Sequence, residues 1–182
     1  MASRILTVPN QITFLRLAFL PFFFLAIFFD HYDWALAILF GAAVTDALDG
    51  ILARRLNQKT ALGAYIDPIA DKLLLTGAFI LLAMKGKIGW WLTILVLSRD
   101  VFILAVSATI ILVSGYRPFP PTIYGKATVV GQILLVFLML LTGILDYHLL
   151  DITAQVCVWV VAGLTIASGI HYSVIIARRI SG

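Results

Sequence analysis

The sequence predicts an all-α integral membrane protein, with six transmembrane helices in a single domain over residues 1–182. Three observations predict this fold class. Hydrophobic residues fill 62% of the chain and charged residues 12%, and the mean hydropathy is +1.06. A soluble domain of this size needs far more polar surface. Six apolar stretches can also be extended to the roughly 20 residues that cross a bilayer, and basic residues gather at alternate ends of these stretches.

Each helix is placed on one apolar stretch. The expected bounds are about 10–30, 33–55, 61–84, 89–113, 125–145 and 151–177. The basic residues at one set of helix ends are Arg4, Arg54, Arg55, Lys59, Arg117, Lys126, Arg178 and Arg179. The opposite ends carry Asp30, Asp33, Asp146 and Asp151, with Lys85 and Lys87 as exceptions. Because cytoplasmic loops are rich in Lys and Arg, both termini are predicted to be cytoplasmic, in a multi-pass protein of the plasma (inner) membrane.

Helices two and three reach a spanning length only if they include four aspartates. Their purely apolar runs hold eleven and twelve residues, whereas a bilayer requires about 20. Helix two must therefore continue through Asp46 and Asp49, and helix three must begin before Asp67 and Asp71. The four carboxylates are thus predicted to lie inside the cytoplasmic boundary of the membrane, not in a loop.

The spacing of these aspartates predicts a divalent-metal site. Asp46 and Asp49 are three residues apart and Asp67 and Asp71 four apart, so each pair shares a helix face. The short connection makes the two helices antiparallel neighbours whose acidic faces can converge. A charge at membrane depth costs roughly 2.5–3.5 kcal/mol on insertion scales, and clustered carboxylates suit one or two divalent cations. Taken alone, Asp67 before Pro68 also fits a helix N-cap, and the first pair fits a solvated helix end.

The same stretch resembles the defining motif of the CDP-alcohol phosphotransferases, Asp-x2-Asp-Gly-x2-Ala-Arg-x8-Gly-x3-Asp-x3-Asp. The chain matches each fixed position: Asp46, Asp49, Gly50, Ala53, Arg54, Gly63, Asp67 and Asp71. The resemblance implies a six-helix membrane enzyme, usually a homodimer, whose active site opens at the cytoplasmic face. It also implies a reaction in which an alcohol hydroxyl displaces CMP from a CDP-linked lipid, with two Mg²⁺ or Mn²⁺ ions as cofactors.

The resemblance also assigns roles to residues. The metal ligands it implies are Asp46, Asp49, Asp67 and Asp71. Asp71 is either a ligand of the second metal or the general base that takes the proton of the attacking hydroxyl. The CDP-binding residues it implies are Asp49, Gly50, Ala53, Arg54 and Gly63, of which Arg54 suits the diphosphate because its guanidinium matches phosphate oxygens.

The acceptor alcohol depends on a second group of residues. Arg99 lies near mid-membrane in helix four and should face the protein interior, while Asp100, its neighbour in sequence, should point elsewhere. Arg99, Arg117 and Lys126 together would form a receptor for a phosphate-bearing acceptor. A buried ion pair is the alternative for Arg99. Membrane topology or binding of lipid headgroups is the alternative for the other two.

Two branches of the family fit the chain, both with CDP-diacylglycerol as donor. Phosphatidylglycerophosphate synthases, which use glycerol 3-phosphate, are similar over residues 9–16 and 67–72 but usually carry Ser-Arg-Glu in helix four and Gly-Lys-x-Lys-Thr before helix five. This chain has Ser-Arg-Asp at 98–100 and Gly-Lys-Ala-Thr at 125–128. The Arg-Asp form also resembles cardiolipin synthases, whose acceptor is phosphatidylglycerol. We predict glycerol 3-phosphate, with phosphatidylglycerol as the alternative.

Thr13 and Arg16 are expected on one face of helix one, just inside the cytoplasmic boundary. The alternative is a snorkelling arginine and a hydroxyl bonded to its own helix. A divalent-cation transporter is the rival function, but the outer halves of helices two and three lack the polar groups that a transport path requires. The expected partners are membrane lipids and a second copy of the chain, with no nucleic acid.

Overall fold

The computed structural model describes the backbone of residues 8–56, 61–114 and 123–180, and the side chains within 14–45, 70–106 and 123–175. These residues form six α-helices. The helices are α1 (Val8–Phe28), α2 (Tyr32–Leu56), α3 (Ala61–Met84), α4 (Trp90–Ser114), α5 (Ile123–Leu141) and α6 (His148–Ile180). Over the ranges given, no strand is present. The all-helical fold with six helices is therefore confirmed.

The two acidic segments are helical, as their length requirement predicts. α2 runs without a break through positions 46 and 49 to Leu56, and α3 begins at Ala61, ahead of positions 67 and 71. α5 ends at Leu141, four residues before the predicted end. In the turn that follows, Gly143 lies directly against the Tyr32 ring, where a Cβ atom would clash.

The bundle is held by an apolar core to which all six helices contribute buried side chains. α1 packs against α2 and α3, α5 packs against α6, α2 and α3, and α4 packs against α6 and α3. The largest fully buried apolar side chains are Phe23, Ile27, Phe79, Leu82, Leu92, Leu135, Val136, Leu140 and Val161. α1 and α5 therefore both lie between α2 and α3, which is the arrangement that shapes the candidate site.

The outer surface of the bundle is also apolar, which a soluble protein would not tolerate. Phe22, Trp34, Phe40 and Trp159 are each more than 60% exposed. Within the described side chains, the helices long and apolar enough to cross a bilayer are Ile123–Leu141 and His148–Ile175, and only 33% of each apolar window is buried. Their remaining residues face outward, as lipid-facing residues do.

The turns at one end of the bundle are tied together by Asp30. This residue follows α1 and has a left-handed backbone with φ of 62°. Its carboxylate accepts a hydrogen bond from Lys85 Nζ at 2.7 Å and one from the Tyr32 hydroxyl at 2.6 Å. These contacts join the α1–α2 turn to the α3–α4 turn. The Lys85 ammonium, and next the Tyr32 hydroxyl, hold the pKa of the Asp30 carboxyl below its usual 3.8.

Asp30→Asn is expected to lower the melting temperature slightly at pH 6, with the difference from wild type shrinking as pH falls below the usual pKa of 3.8. A carboxyl whose pKa is lower in the folded state stabilises the fold above its unfolded pKa, and this stabilisation is lost as pH falls through the folded pKa. Asn tolerates the left-handed backbone, so the substitution removes only the charge. Thermal unfolding in detergent measures the effect, with the exposed Asp146→Asn as control. Equal melting temperatures for wild type and Asp30→Asn at pH 6 would show that the contacts of Asp30 with Lys85 and Tyr32 do not stabilise the fold.

Candidate active site

A cavity of about 170 Å³ separates α2 from α3. Its lining residues are Arg16, Leu39, Ala42, Ala43, Asp71, Leu74, Leu75, Val129 and Ile133. Over the parts described with side chains, 32–45 and 70–84, the α2 and α3 backbones do not pack closely on each other. The expected convergence of their acidic faces involves Asp46, Asp49 and Asp67, which lie outside those parts, and stays a prediction. α1 and α5 each pack against both helices and hold them apart. The charged groups of the cavity wall are Arg16 and Asp71.

Arg16 and Asp71 form an ion pair inside this cavity. Arg16 Nη1 donates to Asp71 Oδ1 at 2.8 Å, which joins α1 to α3 across 55 residues of sequence. The Arg16 side chain is 4% exposed and that of Asp71 is 52% exposed. The snorkelling alternative for Arg16 is therefore wrong, because its guanidinium points into the protein. The Asp71 carboxylate is held from one side yet stays accessible from the cavity.

A second ionic network begins one residue further along α3. Lys72 Nζ donates to Asp100 Oδ2 at 2.6 Å, and Arg99 Nη1 donates to Asp100 Oδ1 at 2.7 Å. Arg99 Nη2 also donates to Ser168 Oγ at 2.6 Å. One carboxylate on α4 thus binds two cations, and the network joins α3, α4 and α6. Apart from Lys72, these side chains are almost completely buried.

This network corrects the expectation for Asp100 and bears on that for Arg99. Asp100 does not point away from its neighbour, because the long Arg99 side chain folds along its own helix to reach it. Arg99 makes a buried ion pair with Asp100, which is the contact expected for its alternative, structural role. Its assignment to the acceptor stays a prediction. Of the other two acceptor residues, Lys126 is exposed in the first turn of α5 and Arg117 lies outside the described residues.

The remaining motif positions are known from their backbone alone. Those whose side chains lie outside the described set are Asp46, Asp49, Gly50, Ala53, Arg54, Gly63 and Asp67. The continuous helices keep the spacing of both aspartate pairs, so each pair lies on one helix face. Among the side chains that are described, no group of three or more His, Cys, Asp or Glu is present. The four-aspartate metal site therefore stays a prediction.

Two residues of these ionic contacts, Arg16 and Ser168, received no functional role from the sequence. Arg16 carried a signal, because it lies eight residues inside α1 and an arginine at that depth is a functional candidate by default. Ser168 carried none, since serines are common on transmembrane helices and its contact with Arg99 arises only from the packing of α4 on α6.

Comparison with known proteins identifies the family. Residues 6–167 match the model of the CDP-alcohol phosphatidyltransferase family. The chain belongs to this family. Its members are membrane-embedded and generally depend on a divalent metal. Carboxylate oxygens are the ligands that Mg²⁺ and Mn²⁺ prefer, so the accessible carboxylate of Asp71 fits this chemistry.

Relatives at similar identity carry different names. A Mycobacterium tuberculosis protein named "Probable phosphatidylglycerophosphate synthase" is 34% identical over 189 residues, 99% of this chain and 86% of that protein. The CDP-diacylglycerol–glycerol-3-phosphate 3-phosphatidyltransferase of Bacillus subtilis is 33% identical over 183 residues, which cover 91% of this chain and 92% of that protein. The cardiolipin synthase (CMP-forming) of Streptomyces coelicolor is 37% identical over 131 residues, which cover 69% of this chain and 60% of that protein. The chain spans 62% of another M. tuberculosis relative, also 37% identical.

Asp100→Asn is expected to lower the free energy of unfolding by about 3 kcal/mol, because removing one member of a buried ionic network leaves the other charges uncompensated. Reversible unfolding in mixed detergent micelles measures this change. Asp151→Asn is the control, since Asp151 is exposed at the start of α6. A loss no larger than that of the control would show that the network contributes nothing to stability.

Proposed function

We propose that this protein moves the phosphatidyl group of CDP-diacylglycerol to a hydroxyl of glycerol 3-phosphate, releasing CMP and forming phosphatidylglycerophosphate. The observation that carries the proposal is the complete eight-residue motif on α2 and α3, with its last aspartate in a cavity beside a buried arginine. Family membership supports the reaction class. Two relatives named for glycerol 3-phosphate transfer or its product, aligned over 86% and 92% of their lengths, support the acceptor.

In the proposed reaction, the acceptor hydroxyl oxygen attacks the phosphorus that carries diacylglycerol. The new P–O bond forms as the bond to CMP breaks, CMP leaves with the electron pair, and Asp71 accepts the hydroxyl proton. Arg16 holds the Asp71 carboxylate in place for this transfer. Asp46, Asp49 and Asp67, with Asp71, would hold two Mg²⁺ or Mn²⁺ ions, which neutralise diphosphate charge when bound.

The donor headgroup is assigned to the cytoplasmic halves of α2 and α3. The residues proposed to bind CDP are Asp49, Gly50, Ala53, Arg54 and Gly63. Arg54 would bind diphosphate oxygens through its guanidinium, and the small residues would leave room for the nucleotide. The phosphate of the acceptor is assigned to Arg117 and Lys126, together with Arg99. Because both Nη groups of Arg99 bind Asp100 and Ser168, we expect Arg99 to contribute positive charge more than direct contact.

Cardiolipin synthesis, with phosphatidylglycerol as the acceptor, is the second candidate function. It is favoured by the S. coelicolor relative named for it and by the Arg-Asp pair at 99–100. Both reactions share the donor, the metal site and the release of CMP. They differ only in the group that brings the hydroxyl.

We further propose that all six helices span the plasma (inner) membrane as one domain, with both termini and the active site at the cytoplasmic face. The distribution of Arg and Lys along the sequence and the apolar outer surface of the bundle support this topology. A homodimer is proposed from the family resemblance.

The proposed reaction predicts CMP release by the purified protein from CDP-diacylglycerol in the presence of Mg²⁺ and glycerol 3-phosphate. Chelation of the metal should abolish the release and added Mg²⁺ or Mn²⁺ should restore it. Release with phosphatidylglycerol but not with glycerol 3-phosphate would assign cardiolipin synthesis. No release with either acceptor would reject the enzyme proposal.

Asp71→Asn is expected to lower kcat by roughly 10²–10⁴, because the amide cannot accept the hydroxyl proton. Mn²⁺ binding, followed by electron paramagnetic resonance, should be weakened less than in Asp46→Asn. Asp33→Asn, at the opposite end of α2, is the matched control and should behave as wild type. Wild-type turnover by Asp71→Asn would remove its assignment as the base.

A further inference from the structure

A second and larger cavity, of about 320 Å³, lies between α1 and α2. We call it the α1–α2 cleft. The residues that define it are Leu15, Phe19, Phe23, Trp34, Ala37 and Gly41, with Arg16 and Thr45 at one end. Its volume lies within the range of ligand pockets, roughly 300–1,000 Å³. Arg16 is the one charged residue in its lining, as far as the structure describes it.

The cleft is elongated along the helices and open at its side. It follows α1 from Leu15 to Phe23 and α2 from Trp34 to Thr45, which at 1.5 Å per residue is about 12 and 16 Å. Leu15, Phe19 and Trp34 are each more than 40% exposed, so the cleft opens on the apolar outer surface of the bundle. A long apolar slot that opens sideways suits a hydrocarbon chain better than a water-soluble molecule.

The charged end of the cleft shares three lining residues with the cavity of the candidate active site. Arg16, Ala42 and Leu74 line both the cleft and the cavity that contains Asp71. A phosphate group near Arg16 would therefore lie beside Asp71, while a chain attached to it could extend into the cleft towards Phe23. A phospholipid is the class of molecule that joins these two chemical groups.

Hydrophobic transfer alone cannot select the occupant. An acyl chain in the bilayer is already surrounded by apolar groups, so it gains little by moving into an apolar cleft. Selection must come from the polar end, which borders Asp71 and the proposed metal site that would bind a diphosphate. This charge complementarity favours the diphosphate-linked donor over bulk phospholipids.

We propose that the α1–α2 cleft binds one acyl chain of the CDP-diacylglycerol donor, and that this lipid enters the site sideways between α1 and α2. This inference rests on the proposed function and adds the path and position of the lipid chain. Gly41 provides a position at which the proposal can be tested, because a Cβ atom there meets nothing within 4 Å. Gly41→Leu therefore fills the cleft without a clash at Cβ.

Gly163→Leu is the matched control. Gly163 is also inside a helix, a Cβ there also meets nothing within 4 Å, and it does not line the cleft. Both substitutions replace helical Gly by Leu, so their effects on helix propensity are alike.

The experiment measures kcat/KM for CMP release in detergent micelles with a long-chain donor, dioleoyl, and a short-chain donor, dihexanoyl. Gly41→Leu is expected to lower the value for the long-chain donor roughly tenfold, and to change that for the short-chain donor less than about twofold. Gly163→Leu should match wild type with both donors. Equal losses on both donors, or no loss with the long-chain donor, would overturn the proposal.

A binding measurement separates this result from the proposed reaction, because it requires no turnover. A CDP-diacylglycerol with a diazirine in one acyl chain is cross-linked to the wild-type protein, and the labelled peptides are mapped. Labelling of 15–23 and 34–45 that is competed by unlabelled donor but not by phosphatidylcholine is expected, and Gly41→Leu should lose it. Labelling competed equally by both lipids, or labelling elsewhere, would overturn the cleft assignment. Absence of CMP release by wild type, with the expected labelling, would instead reject the proposed reaction.

Discussion

The ion pair between Arg16 and Asp71 is the contact on which the arrangement of the candidate site depends. A guanidinium that is 4% exposed in an apolar bundle must be paired, because an uncompensated buried charge is strongly destabilising. Its partner is the last aspartate of the family motif, on a helix that follows α1 by more than 30 residues of sequence. The pair therefore fixes α1 against α3 and fixes the direction of the Asp71 carboxylate at once.

The position of α1 explains why the bundle contains two cavities that meet. Because α1 and α5 pack against both α2 and α3, those two helices cannot close on each other over the described lengths. α2 presents Gly41, Ala42 and Ala43 where larger side chains would fill the space. One cavity opens towards Asp71 and the other towards the apolar outer surface, and Arg16 lines both. A lipid substrate with a charged head and apolar chains would need both environments side by side.

Contacts of two adjacent residues, Asp71 and Lys72, hold the rotation of α3. Asp71 is bound by Arg16 of α1, while Lys72 is bound by Asp100 of α4, which Arg99 connects to α6 through Ser168. Consecutive side chains on a helix point about 100° apart, so contacts on both constrain its rotation. The helix that carries the proposed base is thus held by α1 and α4, and α4 is in turn held by α6. This is the kind of preorganisation that phosphoryl-type transfer relies on.

The six helices, the inclusion of the aspartates in α2 and α3, and the family could all be predicted from the sequence. These follow from local information: the length a bilayer requires, the helical spacing of carboxylates, and eight residues at fixed intervals. The packing of the helices was needed to show that Arg16 pairs with Asp71, that Asp100 turns towards Arg99, and that a cavity separates α2 from α3. Each of these depends on which helices pack together, and no local periodicity encodes the partner of a side chain 55 residues away.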